Sequence, residues 1–251
     1  MIQNTNLLDP IIADCLGPQC WSELQECWRR GLPEKYRFVL RPLQPSDKSR
    51  LSLEEQASLY DEIHLFREED STFEEQDRAF SSLDGWAFFT PAGYGKTTIS
   101  YRLYAIALLW NIQNWSPNHY QAYDWKENSG KRGDVTKTPR LYVWRKTVPD
   151  LLQQHFAKFN GEDVRPDITV EKIEEAVKRG FKPRVFLEEI DKIRPSEFVI
   201  DQLFRLFDAL DRHQGQIVLD TNLSKQQFVD TFGEPIARRV RENCHVKEYG
   251  F

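Results

Sequence analysis

Residues 85 to 100, GWAFFTPAGYGKTTIS, constrain the chain more than any other stretch. The apolar run Trp86-Ala87-Phe88-Phe89 reads as a buried strand. Thr97 to Trp110 reads as a helix, with Ile99, Leu103, Ala107 and Trp110 on one face. Between them, TPAGYGKT fits the pattern G-x-x-x-x-G-K-[ST] at every fixed position except the first. Thr90 stands there instead of glycine, at the strand end, where the need for glycine is weakest. A loop of this kind wraps phosphate with backbone N–H groups, aided by the positive end of the following helix. Pro91, Ala92, Gly93, Tyr94, Gly95, Lys96, Thr97 and Thr98 are therefore the candidate nucleotide-binding residues. Gly93 and Gly95 supply the backbone freedom of a tight wrap. Lys96 is expected to reach the β- and γ-phosphates, and Thr97 to place its hydroxyl on Mg²⁺.

Further strands follow the loop, each separated by a helical pattern. Leu141 to Trp144, Arg184 to Leu187 and Gln216 to Leu219 read as short strands. Val148 to Phe159 reads as a helix. Ser196 caps another over 197 to 212, with Val199, Leu203, Leu206 and Leu210 inward. Strands alternating with helices imply an α/β fold whose mostly parallel sheet is covered on both faces.

Two strand ends carry acids or amides. Arg184-Val185-Phe186-Leu187-Glu188-Glu189-Ile190-Asp191 is an apolar strand ending in carboxylates. Beside a phosphate loop, such a strand delivers one carboxylate to the Mg²⁺ shell and the next to the attacking water. Glu188 takes the first role and Glu189 the second, as general base. Asp191 is expected to make a structural or interface contact. Ile217-Val218-Leu219-Asp220-Thr221-Asn222 ends in small polar residues. Asn222 either orients water or senses the γ-phosphate, or it belongs to an ordinary turn. The segment Phe232 to Arg241 offers Arg238, Arg239 and Arg241, either as a basic helix face or as an arginine finger for a neighbouring subunit.

Composition sets outer bounds. The 251 residues carry 40% hydrophobic and 29% charged side chains, as a globular protein does. The net charge of −5 gives no global attraction to nucleic acid, so any such contact must be local. Apolar runs such as Ala105 to Trp110 are too short to span a bilayer. MIQNTNLLDP has neither the basic start nor the apolar core of a signal peptide, which implies a cytoplasmic protein. Residues 1 to 80 read as a smaller helical region. Residues 19 to 30 and 53 to 67 form helices, the second capped by Ser52 and Glu55, and residues 33 to 51 are extended or turn-like. Cys15, Cys20 and Cys27 cluster there without a C-x2-C pair, so buried thiols compete with a zinc site completed by His64.

The segment from Asn111 to Arg140 interleaves Trp115, His119, Tyr120, Tyr123 and Trp125 with Lys126, Lys131, Arg132, Lys137 and Arg140. Aromatics that stack bases and cations that track phosphates are the equipment of single-strand binding. A loop packing its own aromatics is the alternative.

The order of these features resembles the AAA+ ATPases of the DnaC-type helicase-loader group, which includes IstB-type transposition ATPases. GLPEKYRFVLRPL is similar to the lead-in of that group, RLYVWRKTVPDLLQQH to its second strand and following helix, and FLEEIDKI to its Walker B segment. IVLDTNLSKQQFVDTFGEPIARRV is similar to its sensor-1 and arginine-finger region. The resemblance runs from about Gly31 to Cys244. It implies a P-loop AAA+ core over residues 81 to 251, with residues 1 to 80 holding a partner. It implies ATP and Mg²⁺ as ligands, with Lys96 and Thr97 as the Walker A pair and Glu188 and Glu189 as the Walker B pair. Asn222 matches sensor 1 and Arg239 the finger, with Arg238 as its nearest rival. Glu188 stands where the group has aspartate, a departure that slows turnover if it shifts the metal. The chain also stops soon after the finger region, so no full C-terminal lid is expected. The implied activity is ATP-dependent control of a partner's assembly on DNA, by a protein that oligomerises when ATP is bound. The partner is a replicative helicase, or a transposase in the IstB-like alternative, and the DNA is single-stranded. A third reading is an ATP-binding adaptor with little hydrolysis.

Overall fold

The computed structural model describes residues 85–113 and 140–251. The expected helices at 19–30 and 53–67, the three clustered cysteines and the aromatic and basic residues between 114 and 139 lie outside the described residues. Within them, five strands and six α-helices follow in the order β1 (Trp86–Phe89), α1 (Lys96–Gln113), β2 (Arg140–Thr147), α2 (Val148–Phe159), α3 (Val170–Lys178), β3 (Phe181–Glu188), α4 (Glu197–Arg212), β4 (Gln216–Thr221), α5 (Lys225–Phe232), α6 (Glu234–Asn243) and β5 (His245–Glu248). A 3₁₀ turn, Ile190–Lys192, follows β3.

All strand pairs are parallel, in the order β2-β3-β4-β1-β5. This is the α/β sheet that the alternation of elements implies, and it is consistent with a P-loop AAA+ core. Successive residues of a strand face opposite sides. On one side Ala87, Phe89, Val185, Leu187, Ile217 and Leu219 join a core with buried residues of α2, α3, α4, α5 and α6. On the other, Phe88, Phe186 and Val218 are buried towards α1, where Tyr104 meets Phe186 edge-on at 5.3 Å. The expected inward faces hold where they are described, and the Trp110 side chain lies outside that description. Val199, Leu203, Leu206 and Leu210 of α4 are buried, as are Ile99, Leu103 and Ala107 of α1.

Four of the six described helices start at side-chain caps. Thr147, Thr169 and Ser196 accept the N–H of the residue three positions on, and Ser224 and Gln227 form a capping box on α5. Several elements differ from the sequence expectation, β3 among them, which runs from Phe181 to Glu188. β2 is longer than Leu141 to Trp144, because Arg145, Lys146 and Thr147 continue the ladder against Phe186, Leu187 and Glu188. α3 is not among the helices expected from the sequence, although Val170, Ile173, Ala176 and Val177 recur at helical spacing, with Ile173 and Ala176 buried. β5 has no apolar run. Among the described residues it is an edge strand paired only with β1, and backbone pairing rather than burial defines it.

Candidate nucleotide site

The connection leaving β1 passes to α1 on one side of the sheet, and that leaving β4 passes to α5 and α6 on the other. β1 and β4 are neighbours, so a crevice opens between their C-terminal ends, where open α/β sheets bind ligands. Register fixes its walls: Phe89 lies beside Thr221, and Thr90 N–H donates to the Thr221 carbonyl at 3.2 Å. Buried polar residues gather at this edge. Thr90, Ser100, Asp220 and Thr221 are each almost wholly enclosed.

The loop residues Pro91 to Gly95 span the crevice. Gly93 and Gly95 have φ of 91° and 84°, a region open to glycine and strained for other residues. The Gly95 carbonyl accepts the first helical bond, from Ile99 N–H at 3.1 Å. The first turn of α1 holds no acid, which leaves the positive helix end available to an anion. Lys96 opens that helix. Its Nζ donates to Asn222 Oδ1 at 2.5 Å and to the Pro91 carbonyl at 3.5 Å. Burial lowers its pKa, opposed by the charges of Asp220 and Asp191. Thr97 and Thr98 stand in the first turn, half-buried.

The strand ends beside the loop carry the expected acids and one more. Glu188, the last residue of β3, pairs with Arg145 of β2. The Arg145 guanidinium lies 3.4 Å over the Tyr101 ring of α1, and burial pulls its pKa down. Glu189 has a left-handed backbone, φ 59° and ψ 35°, and its side chain takes a bond from Lys192 Nζ at 2.5 Å. Asp191 makes the structural contact expected of it. It accepts Asn222 N–H at 3.0 Å and Asn222 Nδ2 at 2.7 Å. That bond commits the Asn222 amide nitrogen, so its oxygen faces Lys96.

Asp220 was not singled out by sequence. It accepts Glu189 N–H at 3.1 Å through Oδ1, while Oδ2 is buried with no hydrogen-bond partner among the described residues. Burial pushes its pKa up to about 6. The available signal was its place two residues after Val218, which puts a carboxylate on the α1 side of an apolar strand. Arg145 was read only as part of a motif.

Lys96, Asn222, Glu188 and Glu189 thus come together around one crevice. Arg239 is held elsewhere, on the face of α6 that meets α4. Its guanidinium bonds Asp208 and Asp211, each at 2.9 Å. Arg238 is more exposed and pairs with Glu242 on its own helix at 2.7 Å.

The residues fit a nucleotide with its cation. The glycine-hinged loop, the acid-free helix start and Lys96 suit a polyphosphate. The Thr97 hydroxyl and the Glu188 oxygen not engaged by Arg145 are the protein groups that would hold Mg²⁺. The described residues contain no cluster of three or more His, Cys, Asp or Glu that could bind a metal unaided, so phosphate oxygens would complete the shell. Among the described residues no helix is long and apolar enough to cross a membrane.

No protein-family model and no curated protein matches the sequence. Solved structures similar to the chain include a crystal structure of the DnaC helicase loader, at 13% identity and a TM-score of 0.49, covering 87% of this chain and 100% of that one. Domain III of the replication initiation protein DnaA from Thermotoga maritima aligns at 13% identity and a TM-score of 0.42, covering 66% of this chain and 54% of that one. AMPPCP-bound DnaA from Aquifex aeolicus aligns at 15% identity and a TM-score of 0.41, covering 66% of this chain and 41% of that one.

Proposed function

We propose that the protein is an ATPase of the DnaC-type AAA+ group that uses ATP to control assembly of a replicative helicase on DNA. The observation that carries the nucleotide reading is Lys96. It bridges the loop after β1 and Asn222 after β4, near the end of β3 that carries Glu188 and Glu189. A lysine in that place exchanges protein oxygens for phosphate oxygens when ATP arrives, which frees Asn222 Oδ1. Glu189, one residue beyond β3, is the general base for the attacking water once it leaves Lys192. Mg²⁺ would neutralise charge on the phosphates. The helicase-loader part rests on the motif resemblance, as do a finger arginine at Arg239 and ATP-dependent oligomerisation. For Arg239 to serve a neighbour it must exchange Asp208 and Asp211 for phosphate, so the finger engages only on assembly.

A second reading has its own observation. Glu188 is already paired with Arg145. If that pair persists with ATP bound, the metal is poorly held and the protein is an ATP-binding adaptor.

The test is ATP hydrolysis by wild type and Glu189→Gln with a replicative helicase and with single- or double-stranded DNA. Turnover by wild type, with Glu189→Gln binding ATP but slowed at least about 100-fold, is the expected result. ATP binding without turnover by wild type in every condition would select the adaptor.

A further inference from the structure

The turn after β3 has an unusual demand. Glu189 adopts left-handed backbone, a conformation that disfavours any residue with a Cβ. Ordinary sequences place glycine or asparagine there. The same residue carries the carboxylate assigned above to the attacking water, so the side chain must stay and something must hold the backbone.

Asp220 meets the turn from the adjacent strand. Its Oδ1 receives Glu189 N–H at 3.1 Å. Asp220 is 2% exposed, enclosed beside Lys96 and Arg145, whose positive charges both act on it. A buried carboxylate with one oxygen unpartnered is costly to keep, and a neutral apolar residue would fill the strand at less cost. The opposite connection is made by Asp191, which reaches from the turn after β3 to Asn222 after β4. The two bonds cross between the strand ends and tie Glu189 and Asn222 into one unit.

We propose that Asp220 is a positioning residue that fixes the strained Glu189 turn and thereby aims the Glu189 carboxylate into the nucleotide crevice. The proposal rests on the ATPase reading for its catalytic consequence, but the brace itself does not. An aspartate or asparagine at 220 supplies the acceptor. Alanine does not, and the oxygen of serine stops short of the Glu189 nitrogen.

Two measurements separate the brace from the activity. In steady-state hydrolysis, Asp220→Ala is expected to lower kcat at least about tenfold while the KM for ATP and the Kd for a fluorescent ADP analogue stay within about twofold. Asp220→Asn is expected to keep most of kcat. Should Asp220→Ala not fold, Asp220→Ser carries the same expectation. In thermal unfolding, Asp220→Ala and Glu189→Gly form a double-mutant cycle. Glycine takes the left-handed turn unaided, so the stability change caused by Asp220→Ala should be more favourable in the Glu189→Gly background than in wild type, whatever its sign there. Additive changes, or an Asp220→Ala enzyme with wild-type kcat, would overturn the proposal. No turnover by wild type together with a coupled cycle overturns the ATPase reading and supports the brace.

Discussion

Replacing Arg145 with methionine tests whether the crevice is held together by an enclosed ion pair. Methionine keeps much of the stem and removes the cation. The side chains of Arg145 and Glu188 are 9% and 13% exposed, so both charges are largely out of water. Removing one member of such a pair leaves the other uncompensated, at about 3–5 kcal/mol. Glu188 lies beside the open crevice, where water relieves part of that, so about 3 kcal/mol is expected from the pair. The guanidinium also sits 3.4 Å above the Tyr101 ring, a contact contributing about 1 kcal/mol more. The sum, about 4 kcal/mol, corresponds to a fall of roughly 8–16 °C in Tm for a chain of this size. The assay is thermal and urea unfolding of Arg145→Met, Glu188→Leu and the double variant. Two apolar side chains need no counter-ion, so the double variant should recover much of the loss, with a coupling of at least about 2 kcal/mol. Single losses below about 1 kcal/mol that simply add would refute the reasoning, because they would mark a water-screened surface pair.

Asp220 gives a pH signature. Its folded pKa, about 6, lies above the ordinary 3.8, so the folded protein binds this proton more tightly than the unfolded chain. Its contribution therefore opposes folding above about pH 6 and fades as pH falls towards about 4, by at most roughly 3 kcal/mol. Asp220→Asn should lose that slope, and parallel stability curves for the two proteins would contradict the assignment. Gly250 tests how the loop is seated. It has φ 77°, and a Cβ there would lie 2.4 Å from Tyr94 Cζ, so the loop tyrosine rests on the glycine backbone. Gly250→Ala should destabilise by about 1–3 kcal/mol from backbone strain plus the clash. Adding Tyr94→Ala should return only the clash part. Unfolding curves of the three variants check this, and no change in Gly250→Ala would remove the contact from the account.

Much of the site was legible because phosphate chemistry needs few residue types at fixed spacing. Gly93, Gly95 and Lys96 had to lie between a strand and a helix, and they do. Glu188 and Glu189 were legible because an apolar run long enough for a strand ended in acids. Asn222 was open between a turn and a sensor, and its bond to Lys96 places it at the crevice. Asp220 and Arg145 were not legible. A charged residue inside a strand usually marks a solvated face, and only the neighbouring strands and α1 show that these two are enclosed. Arg239 read as a finger from its motif, but its bonds to Asp208 and Asp211 depend on how α6 packs on α4.

The division has one physical cause. Apolar periodicity, caps and the loop are local, so the sequence by itself determined the alternating elements, the parallel sheet and the glycine-hinged loop between β1 and α1. Strand order is not local. Placing β4 between β3 and β1 brings Asp220 to the Glu189 turn and Asn222 to Lys96. Those partners are 31 and 126 residues apart in the chain, and pairing between strands, not periodicity within them, decided that they meet.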